Sequence, residues 1–294
     1  MTVGSVPAPT ELGTTELGTP VAGEPKAGEL ERVLRDLDRV VVAFSGGADS
    51  ALLAHVAHTV LGPDRVHVVT AVSPSLAGDE RDDAESLAAE WGLRWSAVET
   101  DEMAHAAYRT NAVDRCAHCK DALMDVLVPI AEAESATVVL GVNVDDLGDH
   151  RPGQRVAADR GARFPLVEAG FTKDDVRARS RHLGLRTADK PAAACLASRV
   201  PYGTEVTVDV LSVVERAEAA LRRLGFDDLR VRHYDDTARI EVPTDRLSDV
   251  VDQSDAVVAA VTGSGYRYVT LDLEGLRSGN LNAAVPSDPV PNGA

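Results

Sequence analysis

The residues of this chain best suited to chemistry by type and spacing begin with Ser45-Gly46-Gly47-Ala48-Asp49-Ser50. Gly46 and Gly47 carry no Cβ, so their backbone N–H groups can close on an oxygen-rich anion, with the hydroxyls of Ser45 and Ser50 beside them. The segment follows the apolar run Val40-Val41-Val42-Ala43-Phe44 and leads into a helix-forming stretch. A buried parallel strand that hands a loop to a helix N-terminus adds that helix's partial positive charge, and phosphate is the expected ligand. No lysine follows, which separates the loop from the Gly-x-x-x-x-Gly-Lys triphosphate type. The plainer reading is a tight strand-to-helix turn in which Asp49 and Ser50 cap the helix.

Sulfur is the second resource. Cys116, Cys119 and Cys195 make an odd count. In the reducing compartment expected for this chain that disfavours disulfides and favours metal binding or sulfur chemistry. Cys195 stands in Ala194-Cys195-Leu196-Ala197-Ser198-Arg199, where a loop could return it over the phosphate crevice. Three readings stay open. Three thiolates can hold three irons of a [4Fe-4S] cluster and leave the fourth open to sulfide. Zinc with His118 as fourth ligand is the competing metal site. One reactive cysteine beside two inert ones needs no metal at all.

Arg230 and Arg232 flank Val231 on an expected strand, so a period of two brings both guanidinium groups to one face. Two such forks make a phosphate clamp, whereas the ordinary alternative is a solvated outer face. Asp145-Asp146-Leu147-Gly148-Asp149-His150-Arg151-Pro152-Gly153 packs three carboxylates and an arginine behind a strand, as an active-site loop or a merely polar connection.

The elements that must position these residues follow from hydrophobic periodicity. Strands are expected at 40–44, 66–72, 95–98 and 137–140, alternating with helices whose stripes include Leu53, Val56, Ala57 and Val60. The remaining helices of this half are expected over 30–37, over 79–91, from near His118 and over 172–183. Alternation of this kind implies a parallel sheet with helices on both faces and a ligand beyond the strands' C-terminal ends. Ser45, Ser73 and Gly141 fall on that edge. From about Pro191 a smaller α/β unit is expected: helix 208–224, strands 229–233 and 238–242, helix 245–261 and strand 266–273. The expected organisation is a larger domain over 29–190 and a smaller one over 191–282, between disordered tails at 1–28 and 283–294.

At 294 residues the chain is long enough for one large or two modest domains. Its net charge of -17 argues against a broad nucleic-acid or anionic-membrane surface while leaving room for a small anionic ligand. No apolar run approaches the length of a membrane span and no signal pattern opens the chain, so a cytoplasmic protein is expected.

The Ser-Gly-Gly-x-Asp-Ser string after an apolar strand resembles the PP-loop of the ATP pyrophosphatase superfamily. With it stand Asp149-x-Arg151-Pro152-Gly153, the Cys195 loop through Ser198-Arg199-Val200-Pro201-Tyr202-Gly203, and Arg230-Val231-Arg232. Tyr266-Arg267-Tyr268-Val269-x-Leu271-Asp272-Leu273 and Gly275-Leu276-Arg277-Ser278-Gly279 complete the set. Together, over about residues 30–282, they resemble the LarE family of ATP-dependent sulfur transferases. The resemblance implies an α/β fold, a parallel-sheet PP-loop (adenine nucleotide alpha hydrolase-like) domain with a second, smaller α/β domain. It implies adenylylation by ATP of the carboxylates of pyridinium-3,5-biscarboxylic acid mononucleotide and their conversion to thiocarboxylates, on the way to the nickel-pincer nucleotide of lactate racemase. Ser45, Gly46, Gly47, Asp49, Ser50, Ser73 and Gly141 would serve ATP and pyrophosphate, with Asp49 helping to hold Mg2+. Ser198, Arg199, Arg230, Arg232, Asp149 and Arg151 would serve the substrate, and Glu218, Glu241 and Asp249 match acidic positions available to a divalent metal. The Cys-x-x-Cys pair points to the family's cluster type, in which Cys116, Cys119 and Cys195 hold a [4Fe-4S] cluster fed by a sulfide source. Its other members sacrifice one cysteine. A homohexamer is implied by the same analogy. A PP-loop tRNA thiolase and a non-catalytic adenine-nucleotide binder are the competing readings; the first needs a basic face that the charge disfavours.

Overall fold

The computed structural model of the chain describes residues 24–148, 152–191, 194–277 and Asn280. In chain order its first half runs α1 (Glu24–Leu37), β1 (Val40–Ala43), α2 (Ala48–Leu61), β2 (Val66–Val72), α3 (Gly78–Glu90) and β3 (Trp95–Glu99). It continues through α4 (Ala106–Arg109), α5 (Arg115–Glu134), β4 (Thr137–Leu140), α6 (Pro152–Asp159), α7 (Pro165–Glu168) and α8 (Lys173–His182). The four strands pair in the order β3-β2-β1-β4, all parallel, with β1 inside.

That central position follows from composition: Val40, Val41 and Val42 are apolar on both faces and at most 1% exposed. The period of two sends Val40, Val42, Val68 and Val139 into one core with α1, α2, α3 and α8. Val41, Val69, Val138 and Leu140 turn to the opposite core, with Met124 and Leu127 of α5 and Ala157 of α6. Helix α2 carries the phosphate loop at its start and is buried along Ala51-Leu52-Leu53-Ala54, so the loop rests on a rigid support.

The second half comprises α9 (Val208–Arg222), β5 (Arg230–Tyr234), β6 (Thr237–Glu241), α10 (Leu247–Asp252), α11 (Ser254–Gly263) and β7 (Tyr268–Leu271). Its sheet is mixed: β5 pairs antiparallel with β6 through a tight turn, and β7 joins β6 in parallel. Ala217 and Leu221 of α9 and Val257 and Val261 of α11 pack over Val231, Ala238 and Ile240. A separate cluster of Tyr108, Leu196, Ala197, Val200, Leu211 and Val214, with half-buried Cys119 against it, joins the 195–206 segment to both halves.

Several expectations shift. Helix α1 starts at Glu24, inside the stretch expected to be a tail, because Ala27 is buried and Lys26 Nζ donates to Asp175 Oδ2 at 2.5 Å. The helix expected near His118 begins at Arg115, which puts both early cysteines in its first turns. The single helix expected over 245–261 is broken at Gln253, whose dihedrals (φ -102°, ψ 20°) leave the helical region. Residues 1–23 and 281–294 lie outside the described part, so the remainder of the two expected tails is not described here.

Candidate active site

The loop after β1 is closed by its own side chains. Ser50 Oγ donates to Gly47 O at 3.1 Å and lies 3.1 Å from Ser45 Oγ, while Gly47 N donates weakly to Ser45 Oγ at 3.4 Å. Gly46 sits at φ 69°, and a Cβ there would meet Ala84 of α3 at 3.2 Å, so position 46 needs glycine twice over. The N-cap of α2 is Gly47, with no side chain capping the helix. Asp49 and Ser50 are therefore not helix caps, against the plainer sequence reading. Asp49 points its carboxylate sideways, where Oδ1 accepts from Asn143 Nδ2 at 3.1 Å and Oδ2 accepts from Lys173 Nζ at the start of α8.

Gly141, just past β4, lies directly against the start of α2; a Cβ there would stand 2.6 Å from Ser50 N and 2.8 Å from Asp49 C. Ser73, past β2, accepts from Ser75 N through its hydroxyl at 3.2 Å and shapes the turn that leads to α3. Lys190 Nζ donates to the carbonyl of Gly46 at 3.2 Å and to Glu80 and Asp83 at 2.7 Å each, tying the loop to α3. A cavity of about 210 Å³ opens at this sheet edge, lined by Phe44, Ser45, Ser50, Val69, Lys120 and Gly141 among others.

The second part of the site is the short turn Leu196–Arg199, preceded by exposed Cys195. Leu196 N donates to Ser75 O at 2.8 Å, so this turn hangs from the C-terminal edge of the parallel sheet. Arg199 Nη1 donates to the carbonyls of Ala194 (2.5 Å) and Cys195 (3.1 Å) and fixes the backbone that carries the thiol. Cys116 and Cys119, one helical turn apart in α5, belong to the same neighbourhood: Cys116 is exposed and Cys119 half-buried beside Leu196 and Ala197. Burial above all, then the neighbouring Cys195 and Glu102, pushes the Cys119 thiol up to about 12. Cys119 is therefore a poor nucleophile at neutral pH.

Two thiols of α5 and one before the Leu196–Arg199 turn supply the right donor chemistry for an iron–sulfur cluster. They are not drawn into a closed ligand set, since no three His, Cys, Asp or Glu side chains among the described residues form a metal-binding group. His118, the fourth ligand of the zinc alternative, has its Nε2 3.6 Å from Asp114.

The third part is the start of β5. Arg230 and Arg232 share a face opposite Glu241 and Arg239, and that face is not a solvated exterior: Arg232 is 2% exposed. Arg232 Nη2 donates to Glu241 Oε2 at 2.8 Å, and Nη1 donates to Ser198 O at 2.7 Å, which binds the cysteine turn to the small sheet. Arg230 is half-buried and pairs with no carboxylate among the described residues; its Nη1 makes a long 3.4 Å bond to Arg277 O. Burial, followed by the guanidinium groups of Arg199 and Arg232, pulls the Arg230 pKa down, so an arriving anion relieves a local excess of positive charge.

The three acidic positions named as available to a divalent metal form no joint ligand group among the described residues. Glu218 is fully buried and accepts from Arg199 Nε (2.8 Å) and Nη2 (3.1 Å), Arg222 Nη2 (3.2 Å) and Val231 N (3.0 Å). Glu241 is fully buried between Arg232, Arg239 and Asn280, and Asp249 pairs with Arg246 at 2.6 Å. In this structure each of the three carboxylates faces a guanidinium group, and no metal-binding group of three forms among the described residues. Asp149 and Arg151 lie outside the described residues. Sequence reasoning missed Asn143, Lys173, Lys190, Asn111 and Arg115. Lys173 had a visible place in the capping box of α8, but nothing local signals that its ammonium crosses to Asp49.

The NAD synthase family model matches residues 31–126, which contain the phosphate loop and the first two cysteines. The chain is 42% identical over 254 residues to the pyridinium-3,5-bisthiocarboxylic acid mononucleotide synthase of Lactiplantibacillus plantarum, covering 86% of this chain and 92% of that one. An uncharacterised protein of Synechocystis sp. is 46% identical over 256 residues, covering 86% and 95%. One of Methanocaldococcus jannaschii is 26% identical over 241 residues, covering 82% and 91%. With the phosphate loop, the cysteine turn and the buried arginine strand joined in one structure, and with similarity running through all three, the chain belongs to the LarE family of PP-loop sulfur transferases.

Proposed function

We propose that this protein uses ATP to activate the carboxylates of pyridinium-3,5-biscarboxylic acid mononucleotide and converts them to thiocarboxylates, toward a nickel-pincer nucleotide. One observation carries the reading: the turn 195–199 is hydrogen-bonded at one end to Ser75 at the nucleotide-type sheet edge and at the other to Arg232 of β5. A short rigid segment bearing a thiol between a phosphate cradle and an arginine pair suits a substrate that is both adenylylated and thiolated while held by its own phosphate.

The chemistry follows from these groups. A carboxylate is a poor electrophile until AMP becomes its leaving group. The amides of Gly46 and Gly47 and the ammonium of Lys173 would meet the departing pyrophosphate, in a site already organised before ATP arrives. Asp49 would hold Mg2+ together with the phosphates, as magnesium sites with a single protein carboxylate do. Arg230, with Arg232 and Ser198, would hold the substrate phosphate. Gly141 brings β4 against the start of α2, and Ser73 would serve ATP from the turn after β2. Cys116, Cys119 and Cys195 would hold a [4Fe-4S] cluster, and such a cluster supplies an open iron for sulfide from an external source. In the competing arrangement Cys195 alone donates its sulfur, a reading favoured by its exposure against the buried, high-pKa Cys119. A homohexamer belongs to the same family analogy, which light scattering tests directly.

The deciding assay incubates anaerobically purified protein with ATP and the pyridinium substrate. Pyrophosphate released only with substrate present, and thiocarboxylate seen by mass spectrometry, are the expected results. Pyrophosphate release without dependence on that substrate would remove the assignment. A brown chromophore lost in Cys116→Ala supports the cluster, and a protein one sulfur lighter after turnover supports sacrifice.

A further inference from the structure

Among the described residues three arginines are less than a tenth exposed: Arg115, Arg199 and Arg232. Two are neutralised in the ordinary way, Arg199 by Glu218 and Arg232 by Glu241, each at 2.8 Å. Arg115 is 4% exposed and is not: its Nη1 donates to Asn111 Oδ1 (2.5 Å) and to Ala197 O (2.8 Å), and its guanidinium lies over the Tyr202 ring at 5.9 Å. All three partners are neutral. The buried carboxylate Glu102 bears on Cys119 and forms no ion pair with Arg115. A buried charge without a counter-charge is costly, so its retention implies an anion that no described carboxylate supplies.

Arg115 is tied to two of the cysteines through the chain and through its contact with the 195–199 turn. It precedes Cys116, and its bond to Ala197 O lies two residues beyond Cys195; burial disfavours its charge, while Cys195 and then Cys116, as thiolates, would raise its pKa. The node is built to stay in place. Asn111, fully buried in a left-handed conformation (φ 56°), donates through Nδ2 to the carbonyls of Pro201 (2.8 Å), Thr204 (3.0 Å) and Val200 (3.3 Å). It thereby fastens the chain beyond the cysteine turn to the start of α5.

We propose that Arg115 is the counter-charge for an anionic sulfur nucleophile at the Cys195 mouth, either the Cys195 thiolate or a hydrosulfide held beside it. The proposal rests on the sulfur-transfer reading above and adds a residue to it. In the transfer step the sulfur lone pair forms a bond to the activated acyl carbon, the bond from that carbon to the AMP oxygen breaks, and AMP departs as an anion. With hydrosulfide the product is a thiocarboxylic acid that loses its proton to water; with Cys195 it is a thioester whose S–Cβ bond is intact. No electron is gained or lost in either case, and Arg115 keeps its protons throughout. It acts as a positioning residue.

The test compares an anionic with a neutral alkylating reagent at one sulfur. In full-length, iron-free protein carrying Cys116→Ser and Cys119→Ser, the rates of Cys195 modification by iodoacetate and iodoacetamide are measured with Arg115 intact and in Arg115→Gln and Arg115→Lys. The thiolate fraction and the accessibility of the turn cancel in the ratio of rates, so a merely structural role leaves that ratio unmoved. We expect Arg115→Gln to lower the iodoacetate-to-iodoacetamide ratio by about 3-fold or more at low ionic strength, with Arg115→Lys retaining most of it. If Arg115→Gln does not fold, the protein with Arg115 intact still gives the answer: its ratio should exceed that of free cysteine and decline as salt is added. A ratio equal to that of free cysteine and indifferent to salt, or one unchanged in a folded Arg115→Gln variant, overturns the proposal.

Turnover with added sulfide, in protein with all three cysteines, then separates the two sulfur sources. A raised KM for sulfide in Arg115→Gln assigns the charge to hydrosulfide, and a lowered kcat at unchanged KM assigns it to Cys195; thiocarboxylate formation unaffected in both parameters overturns the role in transfer. Absence of ATP-dependent pyrophosphate release even with Arg115 intact would strike the transferase reading and leave the alkylation result standing.

Discussion

Replacing Glu218 by glutamine tests whether the cysteine turn is held by a buried charge pair. Glu218 and Arg199 side chains are 1% and 7% exposed, so solvent offers the pair little screening. The carboxylate accepts from Arg199 twice, from Arg222 and from Val231 N, four donors in all. An amide keeps the volume and one acceptor oxygen but turns an NH2 toward a guanidinium and leaves Arg199 charged and buried. Breaking one side of a buried pair costs about 3–5 kcal/mol, and the surviving acceptor places this variant near the lower end. For a chain of this size that is a fall in Tm of roughly 6–15 °C, or a matching shift of the urea midpoint at constant slope. Because Arg199 also donates to the carbonyls of Ala194 and Cys195, thiocarboxylate formation should fall more than pyrophosphate release does. The double variant Arg199→Met, Glu218→Leu removes both charges and should regain most of the stability without regaining sulfur transfer. A Glu218→Gln protein within about 1 kcal/mol of the parent would refute the account of this pair as the strut of the turn.

Gly141→Ala forces a methyl group against the backbone of Asp49 and Ser50; about 1–3 kcal/mol of stability should be lost, with ATP-dependent pyrophosphate release falling more than tenfold. Wild-type pyrophosphate release in that variant would show that β4 does not position the loop. Arg230→Ala should raise KM for the pyridinium mononucleotide about 10- to 100-fold while leaving the urea midpoint nearly unchanged, since Arg230 has no carboxylate partner among the described residues. Asp175→Asn addresses pH. Burial disfavours the Asp175 carboxylate, but hydrogen bonds from Lys26 and Thr172 outweigh it and hold the group down at about 2. A folded-state pKa below the unfolded value near 3.9 adds stability above that pH and loses it as pH falls toward 2. The variant should therefore be about 1–2 kcal/mol less stable at pH 7, with the gap closing between about pH 4 and 2; a gap independent of pH over that range would exclude the electrostatic origin.

The parallel sheet, its buried first strand and the phosphate loop were legible in the amino-acid order because each rests on local rules: five apolar residues before Ser45, no Cβ at positions 46 and 47, and Gly62 after a helical stripe. The shared face of Arg230 and Arg232 was equally legible from the pleat. Its depth was not, since a strand pattern does not say which face another element covers, and here that element is the Leu196–Arg199 turn. Glu218 and Glu241 were readable as acidic positions, but whether a carboxylate meets a metal or an arginine depends on side chains far away in the chain.

What the order of residues settles alone is the chemistry each segment can offer: amides for phosphate, thiols for sulfur transfer, guanidinium groups for a second anion. Folding decides which of these meet. Lys173 reaches Asp49 across 124 positions, and Arg115 reaches Ala197 across 82. Contacts of that separation leave no periodic trace in the sequence, because they are selected by packing of whole elements and by the cost of leaving a buried charge or carbonyl unpaired.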